Sequence, residues 1–259
     1  MSDPLYRVFR PLVTPSVRLV CFPHAGGTAT FFRTWADGLP GVEVMALRYA
    51  GRQDRLGDPF PASLAALADE VAESLTARLD APLAFFGHSM GALLAFEVGT
   101  RLETRHGTSP VRLFVSGRPA PHRAEPTELH LADEAGLLAE VARLGNPDPL
   151  VFADPDLRAL VLPALRDDYR LLETHRFAHS RVRATVVAYG GDRDPACGVR
   201  ALPAWAELTT GGFAQRVFPG DHFYLVPCEP ALVADVGERL RAALNEHASK
   251  PAAQRVESQ

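Results

Sequence analysis

The stretch Phe85-Phe86-Gly87-His88-Ser89-Met90-Gly91 constrains this chain more than any other. Leu83 to Phe86 is an apolar run suited to a buried strand. From Ala92 to Leu102, the residues Leu93, Leu94, Ala95, Phe96 and Val98 suit a mostly buried helix. The five residues from Gly87 to Gly91 fit G-x-S-x-G in a strand–turn–helix context, the pattern of a nucleophile elbow. Bulky side chains beside the serine would clash in so tight a turn, which accounts for a glycine two positions to each side. The turn pushes the Ser89 hydroxyl out at the top of a sheet. The following helix directs its N-terminal N–H groups at charge developing near that hydroxyl. The simpler alternative is a glycine-rich turn that contains a serine, so the rest of the chain must supply the serine's partners.

A chain of 259 residues can bury one large core. With 47% hydrophobic and 22% charged residues it has the make-up of a soluble globular protein. A net charge of −4 argues against a general nucleic-acid binder. No charged-then-apolar leader and no membrane-length apolar run occur, so no membrane association and a cytoplasmic location are expected. Cys21, Cys197 and Cys228 are scattered and odd in number, which suggests a reducing compartment without a disulfide framework. The histidines show no metal-ligand spacing, and neither a metal nor a cofactor is expected.

Strand candidates at Val17–Phe22, Val42–Leu47, Leu83–Phe86 and Val111–Ser116 alternate with helical patterns. One of these, Leu64 to Leu79, has Ser63 placed to cap it. This alternation predicts an α/β fold, a mainly parallel sheet covered on both faces. From about residue 119 to 180 the rhythm breaks. Leu137, Leu138, Val141 and Leu144 form one amphipathic helix, capped by Asp133 and stopped by Gly145. Leu157 to Leu172 forms another, with a kink or break expected at Pro163. A helical insertion on the elbow's side of the sheet would make a lid; the plainer reading is a pair of core helices. Alternation resumes with strands at Val182–Tyr189 and Phe213–Phe218, a short helix at Pro203–Leu208, and a terminal helix from Pro230 to Leu244. The whole chain is expected to be one domain, with a disordered tail from about His247.

A serine hydroxyl needs a base to take its proton, and the base needs an orienting acid. In the strand order Ser…Asp…His, the acid follows a late strand and the histidine follows the last. His222 alone lies on the loop after the last strand. Asp192 and Asp194 both follow the Val182–Tyr189 strand. Asp194 is favoured as the acid because it lies further out on the turn, leaving Asp192 to cap backbone. Asp221 is a weaker candidate, since adjacent side chains on a turn point apart. His24 and His88 are read as supporting residues. The tetrahedral oxyanion requires N–H donors: the Met90 backbone first, and one from the turn Pro23-His24-Ala25-Gly26-Gly27, for which Ala25 is favoured.

Taken together, these stretches resemble the type II thioesterases, discrete editing enzymes of polyketide synthase and nonribosomal peptide synthetase systems. The matching segments are 19–27, Phe32 with Trp35, 49–55, 86–92, 162–169, 191–195 and 220–225. Ala50 departs from the family pattern, which usually has proline before Gly51-Arg52. The resemblance implies an α/β-hydrolase with a helical lid, the triad Ser89–Asp194–His222 and an oxyanion hole from Ala25 and Met90. It implies hydrolysis of acyl thioesters carried on the phosphopantetheine arm of an acyl or peptidyl carrier protein. A monomeric, discrete enzyme is expected rather than a release domain of a larger one, because the chain begins and ends close to the fold. A carboxylesterase or lipase acting on free esters, and a silent synthase-binding partner, are the competing readings. An acidic carrier would favour arginines near the entrance, for which Arg166, Arg170, Arg176, Arg181, Arg183, Arg52 and Arg55 are candidates. The simpler reading of the lid arginines is a solvated helix face mixed with Asp167, Asp168 and Glu173.

Overall fold

A computed structural model describes residues 4–145 and 149–249. Seven strands form one sheet: β1 (Tyr6–Val8), β2 (Val17–Phe22), β3 (Val42–Leu47), β4 (Leu83–His88), β5 (Arg112–Ser116), β6 (Val186–Gly191) and β7 (Phe213–Phe218). Their order across the sheet is β1-β3-β2-β4-β5-β6-β7. Only β1 runs antiparallel, against β3. The central strands are buried on both faces, as continuous apolar runs in a parallel sheet require.

Side chains alternate between two cores. Val20, Phe22, Phe85, Leu113, Val115, Val186 and Ala188 face one way, packing on helices α2 (Leu64–Leu75) and α3 (Met90–His106). Leu19, Cys21, Phe86, Phe114, Val187 and Tyr189 face the other, packing on the short helix α1 (Trp35–Gly38) and on α7 (Glu229–Ser249). The connection out of β2 leads to one side of the sheet and the later strands lie on the other. A crevice therefore opens beyond the carboxyl ends of β2 and β4, where the strand order reverses. The elbow and the glycine-rich turn meet there.

Between β5 and β6 the chain inserts α4 (Glu134–Leu144), the short α5 (Pro149–Ala153) and α6 (Pro155–Thr174). Asp133 caps α4 by accepting from Gly136 N at 2.8 Å, and Gly145 ends it with a left-handed φ of 95°. Leu137, Leu165 and Tyr169 form a small core of their own, against which Ala25 packs.

Several boundaries differ from the sequence expectation. α6 is uninterrupted through Pro163. Pro163 and the residue four before it, Ala159, are both exposed, so the carbonyl that loses its N–H partner faces water. The strand expected from Val182 begins at Val186, because the N–H of Arg183 turns aside to Glu103 and Val182 makes only an isolated bridge to Thr209. α7 continues to Ser249 rather than ending at Leu244. Glu246 in its last turns pairs with Arg112 on β5 at 3.0 Å. The rest of the tail expected to be disordered, 250–259, lies outside the described residues. No helix among the described residues is long and apolar enough to cross a membrane.

Candidate active site

The elbow is built by close approach. A Cβ at Gly87 would stand 2.1 Å from Gly91 O, and one at Gly91 would stand 1.9 Å from Phe22 O. Neither position can carry a side chain without moving backbone, which explains both glycines of the motif. Ser89 itself has φ 55° and ψ −114°, a strained conformation for a residue with a side chain. Its N–H donates to Ser116 O at 2.8 Å, tying the turn to β5. The Ser89 side chain faces a cavity of about 680 Å³ that His222 also lines.

His222 sits on the loop after β7 and is 1% exposed. Its Nδ1 donates to Asp194, 2.9 Å from Oδ2 and 3.1 Å from Oδ1. Asp194 Oδ1 also accepts from the backbone of Ala196 (2.8 Å) and Cys197 (3.2 Å), so the carboxylate is held in place by its own loop. With Nδ1 committed as donor, Nε2 is the nitrogen left to take a proton. Asp192 points elsewhere, accepting from Gly220 N at 2.8 Å and joining the two loops that carry Asp194 and His222. Asp221 caps Phe223 N and stays exposed. Ser89 Oγ and His222 share the cavity without a hydrogen bond between them, and contacts of this kind often tighten only with substrate in place.

The turn after β2 uses its N–H groups selectively. Pro23 has none. Gly27 N donates to His24 O at 2.9 Å, and Gly26 N to Asp168 Oδ2 at 2.7 Å. Among the described residues, the N–H groups of Ala25 and Met90 have no partner, and Ala25 borders the same cavity as Ser89. Two free N–H groups beside a serine can receive an oxyanion.

What anchors that turn leaves no local signal in the sequence. Arg52 and Asp168 form a bidentate ion pair, with Nη1 to Oδ2 and Nη2 to Oδ1 both at 2.8 Å. Arg52 also donates to Gly27 O at 3.0 Å and lies over the Tyr49 ring, whose hydroxyl donates to Pro23 O at 3.0 Å. Asp168 lies on α6, so one carboxylate joins the insertion to the turn that carries Ala25. Burial opposes the Arg52 charge, but Asp168 outweighs it and raises the guanidinium pKa.

This corrects the expectation for the charged residues. Arg52 is no surface arginine, and Asp168 and Glu173 are not on a solvated face: Asp168 is 2% exposed, and the half-buried Glu173 accepts from Leu129 N, His130 N and Thr127. Arg55 is tied to Asp58 and Arg48 O. Arg166 donates to His130 O and Ala132 O, Arg170 to Pro61 O and Ala62 O, Arg181 to Glu207 O, and Arg183 to Gly107 O. Most of these cations brace loops. Arg176 is exposed at the cavity rim.

Behind His222 lies a row of imidazoles, tilted and edge-on to one another. The His88 ring centre is 4.9 Å from that of His222, and His24 is 5.9 Å from His88. His88 Nδ1 bonds Ser116 Oγ at 2.9 Å, which in turn bonds Tyr224 OH at 2.6 Å. Burial lowers the pKa of His24 to about 3, with the nearby His222 and Arg52 adding to the effect. Burial, then His222 and His24, also hold His88 well below its ordinary value. Both rings are therefore neutral at neutral pH, a polarisable but uncharged wall behind His222.

The mostly parallel seven-stranded sheet with helices on both faces is a fold of the α/β-hydrolase class. The thioesterase-domain family model matches residues 17–240, and the chain belongs to the thioesterase family. It is 41% identical over 237 residues to the thioesterase PikA5 of Streptomyces venezuelae, covering 90% of this chain and 84% of that one. The type II thioesterase BorB from the borrelidin biosynthetic cluster superposes with a TM-score of 0.85 at 40% identity, over 93% of this chain and 99% of that one. YbtT, the type II thioesterase of the yersiniabactin NRPS/PKS pathway, gives a TM-score of 0.82 at 28% identity over 93% and 99%.

Proposed function

We propose that this chain is a type II thioesterase that hydrolyses acyl thioesters on the phosphopantetheine arm of carrier proteins, clearing aberrant acyl groups from polyketide or nonribosomal peptide assembly. The observation that carries the reading is the strained Ser89 in one cavity with His222, whose Nδ1 is held by the buried Asp194. Ser89 Oγ attacks the thioester carbonyl carbon while His222 Nε2 takes the hydroxyl proton. The N–H groups of Ala25 and Met90 hold the oxyanion. The tetrahedral adduct collapses, the C–S bond breaks, and the arm's sulfur receives the proton from His222. Water then attacks the Ser89 ester with His222 again as base. The second adduct releases the free carboxylic acid and returns the proton to Ser89. Net, one water is consumed and one acid and one thiol are formed.

Asp194 keeps Nε2 unprotonated before attack and stabilises the imidazolium afterwards. The insertion lines the cavity that Ser89 and His222 share and serves as its lid. The test is release of acyl groups from an acylated carrier protein, with Ser89→Ala as control. Turnover by Ser89→Ala equal to wild type would overturn the reading, and so would rapid cleavage of simple esters with none of carrier-bound thioesters.

A further inference from the structure

Ser89 follows β4 and His222 lies on the loop after β7, with β5 and β6 between them in the sheet. The loop of His222 is tied to its own side. Asp192 Oδ1 accepts from Gly220 N at 2.8 Å, and Arg193 N donates to Gly220 O at 2.9 Å, so Asp194 and His222 are held as one unit at the ends of β6 and β7. Ser89 belongs to the other side, through the bond from its N–H to Ser116 O at the end of β5.

Ser116 joins the two sides. Its Oγ lies 2.6 Å from the hydroxyl of Tyr224, two residues beyond His222, and 2.9 Å from Nδ1 of His88, the residue before Ser89. Among the described residues, the bond to Tyr224 is the one hydrogen bond from the segment 219–228 to the ends of β4 and β5. Ser116 and Tyr224 are both fully buried. The Tyr224 ring stacks on Phe218, the last residue of β7, at 5.6 Å and 11°, which aims its hydroxyl. Burial raises the phenol pKa, so the hydroxyl keeps its hydrogen. Tyr224 donates to Ser116 Oγ, and Ser116 donates to Nδ1 of the neutral His88. Run in this sense, both hydroxyl hydrogens are used.

Ring packing alone leaves His222 free to slide. A Cβ at Gly117 would lie 2.6 Å from His88 Cε1 and 3.3 Å from His222 Cε1, so the two rings crowd one spot at the end of β5. Such contacts limit how near the rings come but carry little direction, whereas a hydrogen bond has a length and an angle. Proton transfer from Ser89 needs His222 Nε2 within about 3 Å of Oγ, and a misplacement of about 1 Å can cost about 10²-fold. We propose that Ser116 and Tyr224 are positioning residues, whose hydroxyl bond sets the separation of nucleophile and base by tying the loop of His222 to the strand end that holds Ser89. This rests on the roles of Ser89 and His222 in the proposed function.

The test uses Tyr224→Phe and Ser116→Ala, singly and together. Two rates are measured well below the melting temperature: fluorophosphonate labelling of Ser89, and kcat/KM for release from an acylated carrier protein. Tyr224→Phe removes one oxygen and keeps the ring that stacks on Phe218, so it decides the matter alone if Ser116→Ala does not fold. Both rates should fall by about 10- to 100-fold in each single variant. The double variant should lie within about threefold of the slower single one, because the same bond is lost either way. The pH midpoint of labelling should not move, since Asp194 still holds Nδ1 and travels with the loop. A lower melting temperature with both rates within about twofold of wild type would show hydroxyls paired for stability alone and overturn the proposal. A shifted midpoint would assign the loss to the basicity of His222 and overturn it as well, as would losses that multiply in the double variant. If wild type is labelled but releases no acyl group, the thioesterase reading fails while the labelling rates still decide the positioning roles.

Discussion

Asp168→Ala removes one carboxylate that serves three donors: both terminal nitrogens of Arg52 and the N–H of Gly26. Arg52 is 9% exposed, so its charge would be left enclosed without a counter-charge. Breaking a buried pair in this way costs about 3–5 kcal/mol, and the orphaned Gly26 N–H about 1–3 more. The two losses share atoms and overlap, so a total of about 4–6 kcal/mol is expected, or roughly 10–20 °C in melting temperature for a chain of this size. The catalytic loss has a different origin. Without its anchor the turn no longer fixes Ala25, and loss of one oxyanion donor costs about 10²- to 10³-fold in kcat. Pairing Arg52→Met with Asp168→Leu separates the effects. No charge is then buried, so much of the stability should return, but Gly26 still lacks its acceptor and kcat should stay low. Urea midpoints and steady-state release from an acylated carrier protein measure the two quantities. An Asp168→Ala protein melting within about 3 °C of wild type, with kcat within about threefold, would refute the argument. A double variant that regains kcat along with stability would show that the Gly26 bond does not hold the turn.

Asp194→Asn should leave KM little changed and lower kcat by about 10³- to 10⁴-fold, since an amide holds His222 in the wrong tautomer; stopped-flow or steady-state release assays report it. Gly91→Ala would place a methyl 1.9 Å from Phe22 O, so soluble yield should fall sharply and any folded protein should fail to label with a fluorophosphonate. The neutral His24 and His88 link stability to pH. Each binds fewer protons folded than unfolded below about pH 6.5, so their contribution is intact above that value and lost as pH falls toward about 3 for His24. Urea midpoints should decline from pH 6.5 to 5, before most carboxylates titrate, and His24→Phe should flatten that decline.

The elbow, the parallel strands and the chain positions of Asp194 and His222 were legible because each leaves a local mark: an apolar run, a glycine pair, a turn of known order. What joins distant segments left a weaker one. Arg52 and Asp168 lie 116 residues apart, and nothing near either announces the other. The one available signal was phase. Asp168 falls between the buried Leu165 and Leu171, beside Tyr169, so it shares the inward face of α6 rather than the solvated one. β1 was missed because three residues carry no period; it is fixed by pairing with β3 and by the Tyr6 hydroxyl, 2.7 Å from Ser74 Oγ.

The single carboxylate shared by α6 and the turn that carries Ala25 limits how such proteins can be recombined. The insertion lines the cavity that Ser89 faces, so on the proposed function it is the natural segment to exchange between relatives when a new substrate range is sought. Here that exchange also replaces a support of the reaction centre. A donor segment lacking an acidic residue in register with Asp168 would bring a new cavity and a displaced Ala25 together. On the proposed function, specificity and rate are therefore inherited jointly through one helix, and a chimaera is expected to need Asp168, with Arg52 on the recipient side, before its substrate preference can be read.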